Sequence, residues 1–130
     1  MKKAQKIRNL KFRAQKARCY YCCQPMWRDR PSRFAAKYGL TLEQARHLKA
    51  TAEHLTARCE GGRDTPDNIV AACWFCNTRR HYAKRALAPI DYARKVRSRL
   101  SRGRWHGLML PAAGELPKPA LPVTPAKVGA

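Results

Sequence analysis

Hydrophobic and polar positions along this chain change period several times, and each change predicts an element. Ala4, Ile7, Leu10, Ala14 and Ala17 recur at helical spacing, which predicts an amphipathic helix within residues 1–18. Phe34 to Tyr38 is a short helical stretch that Gly39 stops. Thr41 and Gln44 then form a capping-box pattern ahead of Ala45, Leu48 and Ala52. Glu53 to Ala57 reads as a strand, and Ile69 to Ala72 as the strand that returns. Between them, Gly61 to Asn68 concentrates Gly-Gly, Asp-Thr-Pro and Asp-Asn, a dense turn signal. Beyond Cys76 the pattern is helical up to Pro89, and Ile90, Ala93, Val96 and Leu100 predict a second helix to about Arg102. From Pro111 onward the Pro, Ala, Gly and Val residues cannot build a core, and residues 105–130 are expected to be a disordered tail. The chain thus divides into a basic arm or helix over 1–18, a folded unit over 19–104, and that tail.

Charge narrows the possible partners. Lys and Arg outnumber Asp and Glu by 28 to 8, for a formal charge of +20. Residues 1–18 hold eight basic residues and no acid, and residues 77–104 hold ten against one Asp. Self-repulsion of that size opposes compaction, so it points to a polyanionic partner, nucleic acid ahead of acidic lipid. No apolar run approaches the roughly 20 residues that cross a bilayer, which excludes a spanning helix as the reason for the charge. The N-terminus has no apolar signal core, so a cytoplasmic protein with reduced thiols is expected.

Four of the six cysteines fall in two C-x2-C turns, Cys19-Tyr20-Tyr21-Cys22 and Cys73-Trp74-Phe75-Cys76. Each turn offers two thiolates, and together they make the donor set that tetrahedral Zn²⁺ prefers. Such a site would tie remote parts of the chain together. Cys23 offers an alternative C-x3-C ligand to Cys22; Cys23 and Cys59 are otherwise spare thiols.

The order Glu53-His54, Gly61-Gly62, Asn68-Ile69-Val70, Cys73-x2-Cys76-Asn77 resembles the HNH endonuclease family, and the upstream Cys19-x2-Cys22 resembles its zinc-stapled members. The resemblance spans roughly residues 19–81. It implies an α+β fold, a small ββα-metal core with a four-cysteine zinc site and flanking basic helices. It implies a metal-dependent DNA endonuclease that nicks one strand per active site. By the same resemblance His54 is the general base, and Asn68 braces the hairpin loop that holds it. Glu53 and Asn77 ligate the catalytic divalent ion, Mg²⁺ or Mn²⁺, with other divalent ions open. Glu53 stands where most members carry Asp. His81, four residues after Asn77 on the same helical face, is the alternative third motif residue or a phosphate contact.

Arg58, Arg63, Arg79, Arg80, His81, Lys84 and Arg85 are the candidate nucleic-acid contacts, with duplex DNA the expected partner and RNA a further one. Phage packaging, mobile-element homing, restriction and defence all fit such an enzyme. The competing reading is a non-catalytic, zinc-stabilised nucleic-acid-binding protein, which explains the charge and the cysteines but not the residues at 53, 54, 68 and 77. An RNA-processing or ribosome-associated protein is a third, suggested by the basic arm.

Overall fold

Two short strands organise the rest of the chain. In the computed structural model, which describes residues 1–111, β1 (Ala50–His54) pairs antiparallel with β2 (Ile69–Cys73), from Ala50 opposite Cys73 to His54 opposite Ile69. The expected tail beyond residue 111 lies outside the described residues. Five helices surround the hairpin: α1 (Lys3–Ala14), α2 (Pro31–Tyr38), α3 (Leu42–Arg46), α4 (Trp74–Arg80) and α5 (Pro89–Ser101). This is a small α+β fold in which β1, β2 and α4 form the expected hairpin-plus-helix unit.

Several local expectations hold for stated reasons. Gly39 ends α2 with φ of 66°, a left-handed conformation that costs glycine little. Thr41 caps α3 through a complete capping box with Gln44. Helix α4 starts immediately after β2, with the Cys73 sulfur accepting the Cys76 N–H as its cap.

Other expectations are corrected. The first strand covers 50–54 rather than 53–57, because β2 begins at Ile69, opposite His54, and runs on to Cys73, opposite Ala50. Helix α4 stops at Arg80 instead of continuing to Pro89, since the Arg80 guanidinium draws the Leu87 carbonyl back onto it. Of the expected α1 stripe Ile7 is buried, whereas Leu10 is exposed. The inward face is Ile7 and Lys11, continued by Gln15, which caps the helix. Lys11 donates to the Ile69 and Pro66 carbonyls, while the Gln15 amide both accepts from the Ala71 N–H and donates to the Ala71 carbonyl. An open strand edge demands backbone partners, and here side chains supply them. In α5 the buried residues are Tyr92, Val96 and Leu100, leaving Ile90 exposed.

The core lies between the hairpin, the Cys19–Met26 segment and α5. It contains Tyr21, Leu48, Ala50, Ala71, Ala72, Phe75, Tyr92 and Val96. Trp105, Leu108 and Leu110, which the sequence assigns to the tail, also pack on it, so the ordered unit extends past residue 104. Phe75 and Tyr92 draw Trp105 in through edge-to-face contacts.

The loop between the strands turns back on itself at Gly62, whose N–H bonds the Ala57 carbonyl at 2.9 Å. A Cβ there would lie 1.8 Å from the Thr56 carbonyl oxygen, so backbone would have to move. We expect Gly62→Ala to destabilise the fold by about 1–3 kcal/mol, measured as a lower urea midpoint with unchanged slope.

Candidate functional site

Strand β1 ends on Glu53 and His54, whose side chains leave the pleat in opposite directions. Glu53 turns inward and is 1% exposed. Its Oε2 accepts from the Tyr21 hydroxyl at 2.8 Å and from Arg80 Nη1 at 2.9 Å. Its Oε1 lies 2.9 Å from His81 Nε2. Removing one partner of a buried ion pair such as Glu53–Arg80 costs about 3–5 kcal/mol, because it strands the other charge. Burial and the neighbouring Glu53 carboxylate push the Tyr21 hydroxyl well above its ordinary pKa, so it remains a donor.

His54 faces the loop. Its Nε2 lies 2.7 Å from Asp64 Oδ1, and Arg58 reaches both Asp64 oxygens at 3.1 and 3.2 Å. Arg58 Nε also approaches His54 Nε2, at 3.3 Å. One ring nitrogen cannot donate to Asp64 and accept from Arg58 together. The shorter contact to a carboxylate wins, which puts the proton on Nε2. The His54 hydrogen bond and the Arg58 charge hold the Asp64 carboxyl below its usual range, consistent with that assignment. Nδ1 is then the basic nitrogen.

Asn68 closes the loop. Its Oδ1 accepts the Thr56 N–H at 2.8 Å, and its Nδ2 donates to the Thr56 and Arg63 carbonyls at 3.0 Å each. One amide thereby ties Thr56 and Arg63, which bracket Arg58 and the second of which immediately precedes Asp64, to the start of β2.

The remaining predicted residues separate into groups. Asn77, in the first turn of α4, donates through Nδ2 to Thr51 Oγ1 at 3.0 Å and to the Ala52 carbonyl at 3.3 Å. It therefore meets β1 at Thr51, two residues before Glu53, while His81, one turn later on α4's face, meets Glu53 itself. Arg80 was expected on the nucleic acid, and this is corrected. It is 4% exposed, and its guanidinium donates to Glu53 and to the carbonyls of His54, Leu55 and Leu87. No phosphate can reach a guanidinium so enclosed. Arg58, Arg63, Arg79, Lys84 and Arg85 are exposed, with Arg79 lying over the Phe75 ring at 4.4 Å. Asp64 and Tyr21 were not singled out in the sequence. Asp64 sits among ordinary turn residues and Tyr21 among metal-turn aromatics, so only folding reveals either role.

The cysteines come together as expected. The sulfurs of Cys19, Cys22, Cys73 and Cys76 all lie within 4.8 Å of one another, all buried, and Cys22 and Cys73 are 3.9 Å apart. Zn–S bonds of ~2.3 Å imply sulfur separations of about 3.8 Å in a tetrahedron, so this donor set can hold a metal ion. Burial opposes ionisation throughout. Thiol and backbone donors converging on Cys19 nonetheless pull it well below the ordinary thiol value, while Cys22 and Cys76 are pushed well above. N–H groups surround the cluster: Tyr21 and Cys73 donate to the Cys19 sulfur, and the Trp105 indole donates to that of Cys76. His106 approaches Cys22 at 3.4 Å, and its Nδ1 accepts the Leu108 N–H, so Nε2 carries the proton. Burial holds His106 down to about 4. Cys23 and Cys59 lie outside the cluster.

Comparison with curated proteins and with solved structures finds no match. Residues 43–83, from α3 through both strands and the intervening loop to just beyond α4, match the family model of the HNH endonucleases, the family whose motif order the chain carries.

Proposed function

We propose that this protein is a metal-dependent endonuclease that hydrolyses phosphodiester bonds in duplex DNA, nicking one strand per active site. The observation that carries the reading is the His54–Asp64 contact at 2.7 Å. It fixes the imidazole with Nε2–H on the carboxylate and leaves Nδ1 to take a proton from an attacking water. A neutral imidazole is suited to that task near pH 7. Asn68 keeps the loop closed, so Asp64 stays beside the ring.

Glu53 and His81 form the pair we assign to the catalytic divalent ion, Mg²⁺ or Mn²⁺. Their facing atoms are 2.9 Å apart. Ligand bonds of about 2.0–2.1 Å around an octahedral ion give neighbouring donors about that separation, so the pair fits. When bound, the ion supplies charge neutralisation for the phosphorane and the departing oxygen. Arg58 and Arg63, on the loop beside His54, provide cations for the flanking phosphates, and Arg79, Lys84 and Arg85 extend that surface. We assign Zn²⁺ to the four cysteines as the folding ion.

One observation favours the competing, non-catalytic reading. Both Glu53 oxygens already have partners, as a purely structural carboxylate would. Metal titration separates the two, since a binder alone should take up zinc and no second ion.

In a plasmid-nicking assay with Mg²⁺ or Mn²⁺, His54→Ala should lose about 10²–10⁴-fold in rate. Asp64→Ala should lose about 10–100-fold, as partners that orient functional imidazoles do. Undiminished cleavage by cleanly purified His54→Ala would sink the assignment, and preference for RNA over duplex DNA would redirect it. In Mn²⁺ binding, His81→Ala should weaken affinity by at least about 10-fold and more than Asn77→Ala does. Structural zinc contributes on the order of 10–16 kcal/mol in small peptides, against about 5–15 kcal/mol for a whole domain. A zinc chelator, or Cys73→Ser, is therefore expected to abolish the cooperative thermal transition.

A further inference from the structure

We infer that Tyr21 and Arg80 are positioning residues that couple the four-cysteine cluster to the Glu53 carboxylate, so that metal loading at the cysteines raises the affinity of Glu53 for its divalent ion. The inference rests on the reading of Glu53 as a ligand.

Four observations carry it. First, the Glu53 carboxylate is held asymmetrically. Oε2 takes both interior donors, Tyr21 and Arg80, whereas Oε1 faces His81, whose side chain is 33% exposed. One oxygen is anchored and the other is turned towards an approachable imidazole. Second, the two anchors come from the two cysteine turns. Tyr21 lies between Cys19 and Cys22, and Arg80 lies four residues after Cys76, one helical turn along α4.

Third, Tyr21 has no freedom to follow Glu53 if the turns separate, whereas Arg80 is tied to the backbone that carries Glu53. Tyr21 is fully buried, packed edge-on against Tyr92 at 4.9 Å, and its carbonyl accepts from Arg97. The Tyr92 hydroxyl in turn donates to the Cys76 carbonyl at 2.6 Å, which joins the Tyr21 ring to the second turn. Arg80 uses Nε, Nη1 and Nη2 in bonds that include the His54 and Leu55 carbonyls. Fourth, the four sulfurs lie within 4.8 Å of one another, so a cation bound to all four ties the turn that carries Tyr21 to the turn that Arg80 follows. A cation there fixes the distance, and with it the point where Tyr21 and Arg80 meet at Oε2.

Such coupling is reciprocal, so the divalent ion at Glu53 should also strengthen retention of zinc. Tyr21→Phe removes the hydroxyl and leaves the ring packing. In the zinc-loaded chain, calorimetric titration should show Mn²⁺ affinity about 10-fold weaker for Tyr21→Phe than for the unaltered protein, with zinc content and circular dichroism unchanged. Equal Mn²⁺ affinity in the two proteins would overturn the inference while leaving Glu53 as a ligand. Failure of the unaltered protein to bind Mn²⁺, or full binding by Glu53→Gln, would instead overturn the ligand reading, and the inference with it.

A second measurement needs no variant. Zinc transfer to a zinc-selective chelator should slow several-fold when Mg²⁺ is added. An Mg²⁺-independent rate would count decisively against coupling.

Discussion

Convergence of four buried sulfurs is the constraint on which the rest of this structure depends. The two C-x2-C turns are about fifty residues apart in sequence, and closing a loop of that size carries an entropic cost that a small core must offset. The core available is modest: two five-residue strands, a few aromatic rings and short helices. A metal-capable cluster at the junction of the Cys19 turn, the end of β2 and the start of α4 lets that core hold. It also recruits Trp105 and His106, whose N–H groups bring the segment after α5 onto the same sulfurs.

Everything chemically interesting is then placed by short covalent distances from that junction. Cys73 ends β2, whose register sets Glu53 opposite Val70 and His54 opposite Ile69. Cys76 fixes α4, whose successive turns carry Asn77 and then Arg80 and His81 to β1. The pleat divides the labour between adjacent residues. Glu53 goes inward to a desolvated network of donors, and His54 goes outward to a partly exposed loop. A carboxylate and an imidazole with different environments thus arise from neighbouring positions on one strand.

The loop between the strands is the second organising element. Its closure depends on the Asn68 amide and on the close approach of Gly62 to Thr56. That closure makes Asp64, a surface turn residue by sequence, the partner of His54. The surface around this loop and α4 carries exposed cations, including Arg58, Arg63 and Arg79. Arg80, in the middle of the same basic run, is withdrawn from it to neutralise Glu53. One basic run therefore serves two electrostatic purposes, and burial decides which residue serves which.

Much of this was legible in the sequence because its causes are local. The capping box, the Gly39 stop, the two cysteine turns, the Gly61–Asn68 turn signal and the pairing of two strands depend on neighbours a few residues apart. Motif order placed His54, Asn68 and the cysteines in their elements. What the sequence could not determine was which side chains meet across elements. A 3.6-residue period puts Asn77 and His81 on one face but cannot say which lies against Glu53; strand register decided for His81. Composition marks Arg80 as one cation among many; only the buried Glu53 singles it out. Nothing local joins Asp64 to His54 or Tyr21 to Glu53, since these contacts are 10 and 32 residues apart. The sequence by itself determined the kinds and order of the central elements, the two cysteine turns that converge and the family that the motif order resembles. Tertiary structure decided the hydrogen-bond partners of His54 and Glu53, because the cost of burying charge is settled only where distant segments pack together.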